Sequence, residues 1–548
     1  MLVLSREISM GVPDASSFGF AGWCGTAVLV RVPFAVERSA EVVVPAGIVV
    51  AGKDQREAEA RIAWARGMGV EGSQPLRGPG SERLRVKPEG LRPEQSPSPA
   101  PGGVAPHPAE AGLWEQLLAR ENLAEALRRV EQNAGAAGID GMSTKELRPW
   151  LKDHWPEVRS QLEAGTYRPQ PVRRVMIPKL SGGQRMLGVP AAVDRLICQA
   201  VAQVLTPVFD PRFHPHSFGF RPGRSAHDAV ERARRFIADG AAWCVDFDLD
   251  SFFDRVGHDA LMARVARRVD DKRLLKLIRR YLQAGVMAGG LVHVSEEGTP
   301  QGSPLSPLLS NVMLDDLDWE LERRGHRFVR YADDGRIYVH SQRAGERVMQ
   351  SITRYVEDRL RLKVNREKSV VDRASERPLL GFAFVVEQGE IRVTVDPKRL
   401  KRCRDRVRRL TSRKWGISME RRIREINRFT VGWTAYFALA DSSFPFEVLD
   451  GWLRRRLRQV RWKEWKRPPT REREMRQLGI SARDAHRWAN TRKGYWRVSR
   501  VFLQRALPNA YWTNQGLTGF TDPYHRFRNA TRTARCGPAR RVVWEAPG

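Results

Sequence analysis

At 548 residues the chain is too long for a single hydrophobic core, so about two to four domains are expected. A formal net charge of +31 and a pI near 10.8 exclude an ordinary near-neutral surface. They suit a polyanionic partner, because Lys and Arg gain free energy by displacing counterions from phosphates. Five scattered cysteines, Cys24, Cys198, Cys244, Cys403 and Cys536, lack the close spacing of a zinc site, and their odd number argues against a disulfide framework.

Residues 1–105 keep no helical or strand period. Their short valine-rich pieces are broken by Pro and Gly, and 93–103 has the composition of a linker. A poorly ordered N-terminal extension is expected there. Arg6, Glu7 and Asp14 precede any apolar run, which argues against a secretory leader, and the uncharged stretch 15–30 is too short to span a membrane. No membrane partner is therefore expected. The spacing of Leu113, Leu117, Leu118, Leu123 and Leu127 predicts helices from about residue 113. Residues 173–178 and 184–190 predict two strands joined through Gly182-Gly183. Helices then alternate with short strands to about residue 390, and from Pro397 to Gly479 the pattern is almost wholly helical with basic faces.

The window 401–500 holds 29 Lys and Arg against 10 Asp and Glu, together with Trp415, Trp433, Trp452, Trp462, Trp465, Trp488 and Trp496. Indole rings among guanidinium groups can stack on bases while the charges hold a phosphate backbone. About half of these tryptophans are expected to be helix-packing anchors instead.

Two acidic segments carry the chemistry. In 327–340, apolar residues flank Tyr331-Ala332-Asp333-Asp334-Gly335, a hairpin pattern with two adjacent carboxylates at its tip. Their mutual repulsion is removed by a divalent cation, and hard cations such as Mg²⁺ prefer such oxygens. In 243–254, a strand with alternating apolar positions enters an acidic turn, and Asp246, Asp248 and Asp250 would share one face if the strand ran through all three. Carboxylates from two separate strands are what a polymerase needs to clamp two Mg²⁺ ions.

These segments fall within an ordered set of motifs. Residues 133–141 (Asn-Ala-Gly-Ala-Ala-Gly-Ile-Asp-Gly), 177–179 (Ile-Pro-Lys) and 185–190 (Arg-Met-Leu-Gly-Val-Pro) come first. Next are 217–225 (Ser-Phe-Gly-Phe-Arg-Pro-Gly-Arg-Ser), 298–307 (Gly-Thr-Pro-Gln-Gly-Ser-Pro-Leu-Ser-Pro), 331–334, 365–369 (Asn-Arg-Glu-Lys-Ser) and 380–382 (Leu-Gly-Phe). From about Leu113 to about Arg528 the chain thus resembles the group II intron-encoded reverse transcriptase/maturase family, most like bacterial forms lacking an endonuclease domain. The resemblance implies an α+β fold: right-hand polymerase fingers and palm with an antiparallel sheet (106–395), an α-helical thumb or maturase domain (396–470), and a small basic DNA-binding region (471–548). Some relatives add a nuclease with paired cysteines, and none is expected here.

By the same resemblance Asp248, Asp333 and Asp334 are the catalytic, metal-holding aspartates, with Asp246 structural. Lys179 and Arg185 grip the triphosphate, Gln301 packs near the incoming nucleotide, and Phe253 is the steric gate that excludes a ribose 2′-hydroxyl. Arg221 and Arg224 are expected to contact the RNA template. Arg454, Arg455, Arg458, Lys463 and Lys466 are expected to bind intron RNA, which is read mainly by shape and backbone. The implied activity is RNA-directed DNA synthesis with maturase assistance to splicing and retrohoming. Its implied partners are the intron RNA, an RNA template, a DNA primer or target and deoxynucleoside triphosphates. Homodimers are compatible with the resemblance. A cytoplasmic setting, at the nucleoid when bound to DNA, is expected.

Overall fold

The computed structural model describes residues 112–178, 184–288, 291–293, 297–299 and 302–536. The N-terminal extension (1–105), Lys179 and Gln301 lie outside the described residues, as does the side chain of Arg185.

The chain enters through helices α1 (Leu113–Leu118), α2 (Arg120–Asn133) and α3 (Thr144–Glu163). The last is opened by a capping box of Ser143 and Glu146. Strands β1 (Val172–Pro178) and β2 (Gln184–Val189) pair as the expected hairpin, with Ile177 opposite Arg185. Helix α4 (Ala192–Phe209) follows. By length and composition it could cross a membrane, but 78% of its apolar window is buried inside the protein, so it is a core helix. After α5 (Ala226–Ala238) come β3 (Trp243–Phe247), α6 (Phe252–Arg255), α7 (His258–Ala266) and α8 (Lys272–Gln283). Strands β4 (Val286–Ala288) and β5 (Leu291–His293) extend the first sheet to the order β2-β1-β4-β5. Its β1–β4 pair is parallel.

Helix α9 (Ser306–Arg323), the hairpin β6 (Arg327–Tyr331) and β7 (Asp334–Val339), α10 (Gln342–Asp358) and β8 (Val370–Arg373) complete the palm. Its sheet is antiparallel throughout, in the order β6-β7-β3-β8. Period-two alternation divides this sheet between two cores. Val245, Phe247, Phe328, Ile337 and Val339 face the core shared with α1–α4 and α7–α10. Cys244, Val329 and Tyr338 face a second core that runs on through the C-terminal helices.

A hairpin of β9 (Phe382–Glu387) and β10 (Glu390–Val395) leads into α11 (Pro397–Leu410), α12 (Met419–Phe437) and α13 (Phe444–Glu464). Arg422, buried in α12, donates to the carbonyls of Leu410, Ser412 and Trp415 and so braces the chain that leaves α11. Short helices α14 (Pro468–Gln477), α15 (Ala482–Ala489), α16 (Tyr495–Val501), α17 (Leu503–Ala506) and α18 (Asn509–Asn514) precede α19 (Thr521–Cys536). Trp433, Phe446, Leu453, Leu457, Trp488, Trp512 and Phe520 all belong to the second core, so no break in packing occurs at residue 470. Asp450 of α13 accepts from the amides of Phe520 and Thr521, which ties the last helix to the thumb.

Candidate active site

Strand β3 ends at Phe247, so Asp246 and Asp248 lie on one face while Asp250 turns off into an ion pair with Arg255 at 3.2 Å. The register pairs Phe247 with Gly335. Asp248 directly follows Phe247 and Asp334 directly precedes Gly335, so both leave the same end of this strand pair. Both residues, with Asp246, line one cavity of about 330 Å³ whose other walls include Arg336, Lys368, Arg377, Asp396 and Arg399. Asp333 is the adjoining residue of the two-residue turn between Tyr331 and Asp334.

Like charges gathered in one cavity repel each other. The structure relieves this with Lys368, whose Nζ lies 3.1 Å from Asp248 Oδ2. The 365–369 segment is fixed against Asp248 by backbone: the Asn365 amide donates to the Asp248 carbonyl at 2.8 Å and the Asp248 amide to Ser369 Oγ at 3.0 Å. Asp246 is committed elsewhere, to Arg377 at 2.6 Å and Arg336 at 3.4 Å. It therefore holds palm strands together.

Ala332 at the hairpin tip has φ 58°, in the left-handed region that non-glycine residues rarely enter. Arg330 secures it. This guanidinium is buried (side chain 2% exposed) and donates to Asp318, to Asn311 Oδ1, to Ser217 Oγ and to the Ala332 carbonyl at 2.8 Å. Asn311 in turn donates to the Gly219 carbonyl at 2.9 Å. The turn thus rests on one connected network, in which the buried charges are paired and hydrogen-bonded. Gly335 was expected to serve the turn; instead it lies in β7, where a Cβ would strike the Phe247 ring.

Around the expected nucleotide pocket, α6 presents Phe253, buried against Phe252 with ring centroids 5.2 Å apart. The Phe253 carbonyl accepts from Thr299 at 2.6 Å, and a Cβ on Gly302 would lie 2.5 Å from the Gly188 carbonyl. The chain on either side of Gln301 is thereby tied both to the helix of Phe253 and to the strand of Arg185.

Two of the expected RNA-contacting arginines are corrected. Arg221, with its side chain 4% exposed, spends its guanidinium on Asp210 and on the carbonyls of Asp210, His214 and Ser217. It is a loop anchor. Arg458 is 5% exposed and donates to the Leu507 carbonyl at 3.0 Å, joining α13 to the chain after α17, and burial lowers its pKa to about 10. The helical face that seemed free for phosphate is inside the fold. Arg454 and Arg455 are half-buried, the latter lying 3.4 Å from the centroid of the Trp496 ring. Arg224, Lys463 and Lys466 remain at the surface.

The tryptophans are also mostly internal. Trp433, Trp462, Trp465 and Trp488 are buried, and Trp415, Trp452, Trp462 and Trp488 each carry an arginine of this chain over the ring. Cation–π pairing within the protein takes up faces that the sequence offered to bases.

A second cluster, His214, His216 and Glu322, has ligand atoms within 4.8 Å of one another. The His216 amide donates to His214 Nδ1, which leaves the His214 proton on Nε2, facing Glu322 at 3.3 Å. A proton-bearing nitrogen is no metal ligand, so this group is a hydrogen-bonded pair.

Paired carboxylates from a strand end and a hairpin tip, on an antiparallel palm between fingers and a helical thumb, define a template-directed nucleotidyl transferase. Residues 177–384 match the family model described as reverse transcriptase (RNA-dependent DNA polymerase), and 400–479 match the group II intron maturase-specific domain. The chain is 32% identical to protein YkfC of Escherichia coli (strain K12) over 313 residues, covering 50% of this chain and 81% of that one. It is 36% identical to the group II intron-encoded protein LtrA of Lactococcus lactis subsp. cremoris over 214 residues, 38% of this chain and 34% of LtrA. Among solved structures, the partial Cas6-RT-Cas1–Cas2 complex matches at 26% identity and a TM-score of 0.29, covering 44% of this chain and 42% of that one. The chain belongs to the group II intron-encoded reverse transcriptase/maturase family. It carries the RNA-directed DNA polymerase domain of that family together with its maturase domain, and such proteins bind intron RNA and template–primer nucleic acid.

Proposed function

We propose that Asp248, Asp333 and Asp334 hold two Mg²⁺ ions and that the chain adds deoxynucleotides to a DNA primer annealed to RNA, copying its own group II intron after helping it splice. The observation that carries this reading is that Asp248 and Asp334 line one cavity edged by Lys368. The donor set fits the metal: carboxylate oxygens converge on one cavity, where hard divalent cations are favoured. Bound there, magnesium would supply positive charge to the attacking hydroxyl and to the departing pyrophosphate. In the reaction the primer 3′-oxygen forms a bond to the α-phosphorus as the bond to pyrophosphate breaks.

The protein's own part is to position and to select. Lys179, Arg185 and Gln301 hold the nucleotide, Phe253 excludes the 2′-hydroxyl, and Lys368 offsets carboxylate charge until substrate and metal arrive. Arg454, Arg455, Lys463 and Lys466 form the intron-RNA surface, and Arg224 meets the template. The protein works in the cytoplasm, at the nucleoid when engaged on DNA, as a monomer or a homodimer. Primer extension on an RNA template with Mg²⁺ tests the reading. The wild type should extend, and Asp333→Ala should lose synthesis while keeping RNA affinity. Undiminished synthesis by the variant would remove the site assignment.

A further inference from the structure

Phe220 is an aromatic residue held where a glycine would be at ease. Its φ of 60° lies in the left-handed region, and the residue is 43% exposed. For a bulky residue that conformation is an outlier that persists only when the surroundings over-determine it, as they do around functional sites. Here both flanks are fixed. On one side the Phe218 amide donates to the Arg330 carbonyl and Asn311 donates to the Gly219 carbonyl. On the other, Arg221 is clamped to Asp210 and to three backbone carbonyls. Gly219 packs so closely on the catalytic hairpin that a Cβ there would collide with the Ala332 amide. Phe220 therefore emerges one residue from the tip that carries Asp333 and Asp334. Phe218, two residues earlier, is buried in the core, so the segment has already met its packing need.

We propose that the Phe220 ring is a contact for the template–primer duplex at the nucleotide beside the catalytic turn. The ring packs its apolar face on a sugar–base surface. Every nucleotide offers such a surface, so the contact carries no sequence preference. The inference rests on the polymerase reading above. It extends that reading by giving the 217–220 loop a substrate-facing role, distinct from the basic surface of the thumb.

The test compares the full chain with Phe220→Gly and Phe220→Asn. Both replacements tolerate a positive φ, and both remove the ring. Thermal midpoint, affinity for an RNA–DNA template–primer and affinity for folded intron RNA are measured on each. Template–primer affinity should fall roughly tenfold, the loss expected from one aromatic–nucleotide contact. The midpoint should hold or rise in at least one variant, and intron RNA affinity should stay unchanged. Unchanged template–primer affinity in both variants would overturn the proposal, whatever happens to stability. So would a loss of affinity confined to variants whose midpoint falls, since the ring would then be packing against its own chain. If the wild type fails to extend a primer at all, the polymerase reading is what falls.

Discussion

Arg330 shows how much of the catalytic turn depends on a residue that touches no substrate. It carries Asp318, Asn311, Ser217 and the Ala332 carbonyl at once, with both charges of the ion pair buried. Truncating one partner of such a pair leaves the other charge stranded, at a cost of about 3–5 kcal/mol. Arg330→Ala should therefore lower the unfolding midpoint sharply. In Arg330→Lys, which keeps the charge but not the fork of donors, synthesis should fall more than stability, because the Ala332 carbonyl is released. Equal losses in both measurements would reduce Arg330 to a packing role. Lys368 is the other residue whose importance emerged from the structure. Its motif was visible in sequence, but its ammonium group reaches Asp248 across 120 positions of chain. Removing a resident cation from a carboxylate favours the incoming one, so Lys368→Gln should lower the Mg²⁺ concentration giving half-maximal synthesis. An unchanged requirement would show that the two do not compete.

At the scale of the elements, α13 was legible as amphipathic but not as doubly buried. Leu453 and Leu457, four residues apart, face the core, and Arg458 is drawn inside as well because Leu507 leaves a carbonyl for it. Arg458→Ala should thus destabilise the thumb while leaving the salt dependence of RNA binding intact. Lys463→Ala with Lys466→Ala should do the reverse, each cutting the salt slope by about 1. A salt-slope change in the Arg458 variant would restore it to the RNA surface. Helix α4 holds a different kind of burden. Its Asp194 is buried and accepts from Tyr167, Tyr281 and the Gln170 amide without a cation, and burial raises its pKa from 3.8 to about 6. A pKa raised on folding means the folded state keeps the proton. The stabilisation is complete below about pH 4 and is lost as pH rises through about 6. Against Asp194→Asn, which cannot ionise, the wild type should lose relative stability between pH 4 and 7. Parallel pH profiles would show that the carboxyl is not perturbed.

For the whole molecule, a net charge of +31 sets the scale of nucleic-acid binding. Neutralising six to ten phosphates would cost roughly 10³–10⁵ in affinity between 50 and 200 mM salt. The amino-acid order alone specified the β1–β2 and β6–β7 hairpins and the end of β3 beside Asp248, because turn chemistry and period-two patterning act over a few neighbouring residues. It also determined the sign of the partner's charge. Which charges stay available depends on how the elements pack. Arginine is long enough to answer any carbonyl or indole that folding leaves nearby, as Arg221, Arg422, Arg455 and Arg458 do. The partners of Arg455 and Arg458 lie 41 and 49 positions away, and those of Arg221 and Arg422 are met only because the chain between folds back, so local pattern alone could not separate the guanidinium groups that meet phosphate from those that hold the protein together.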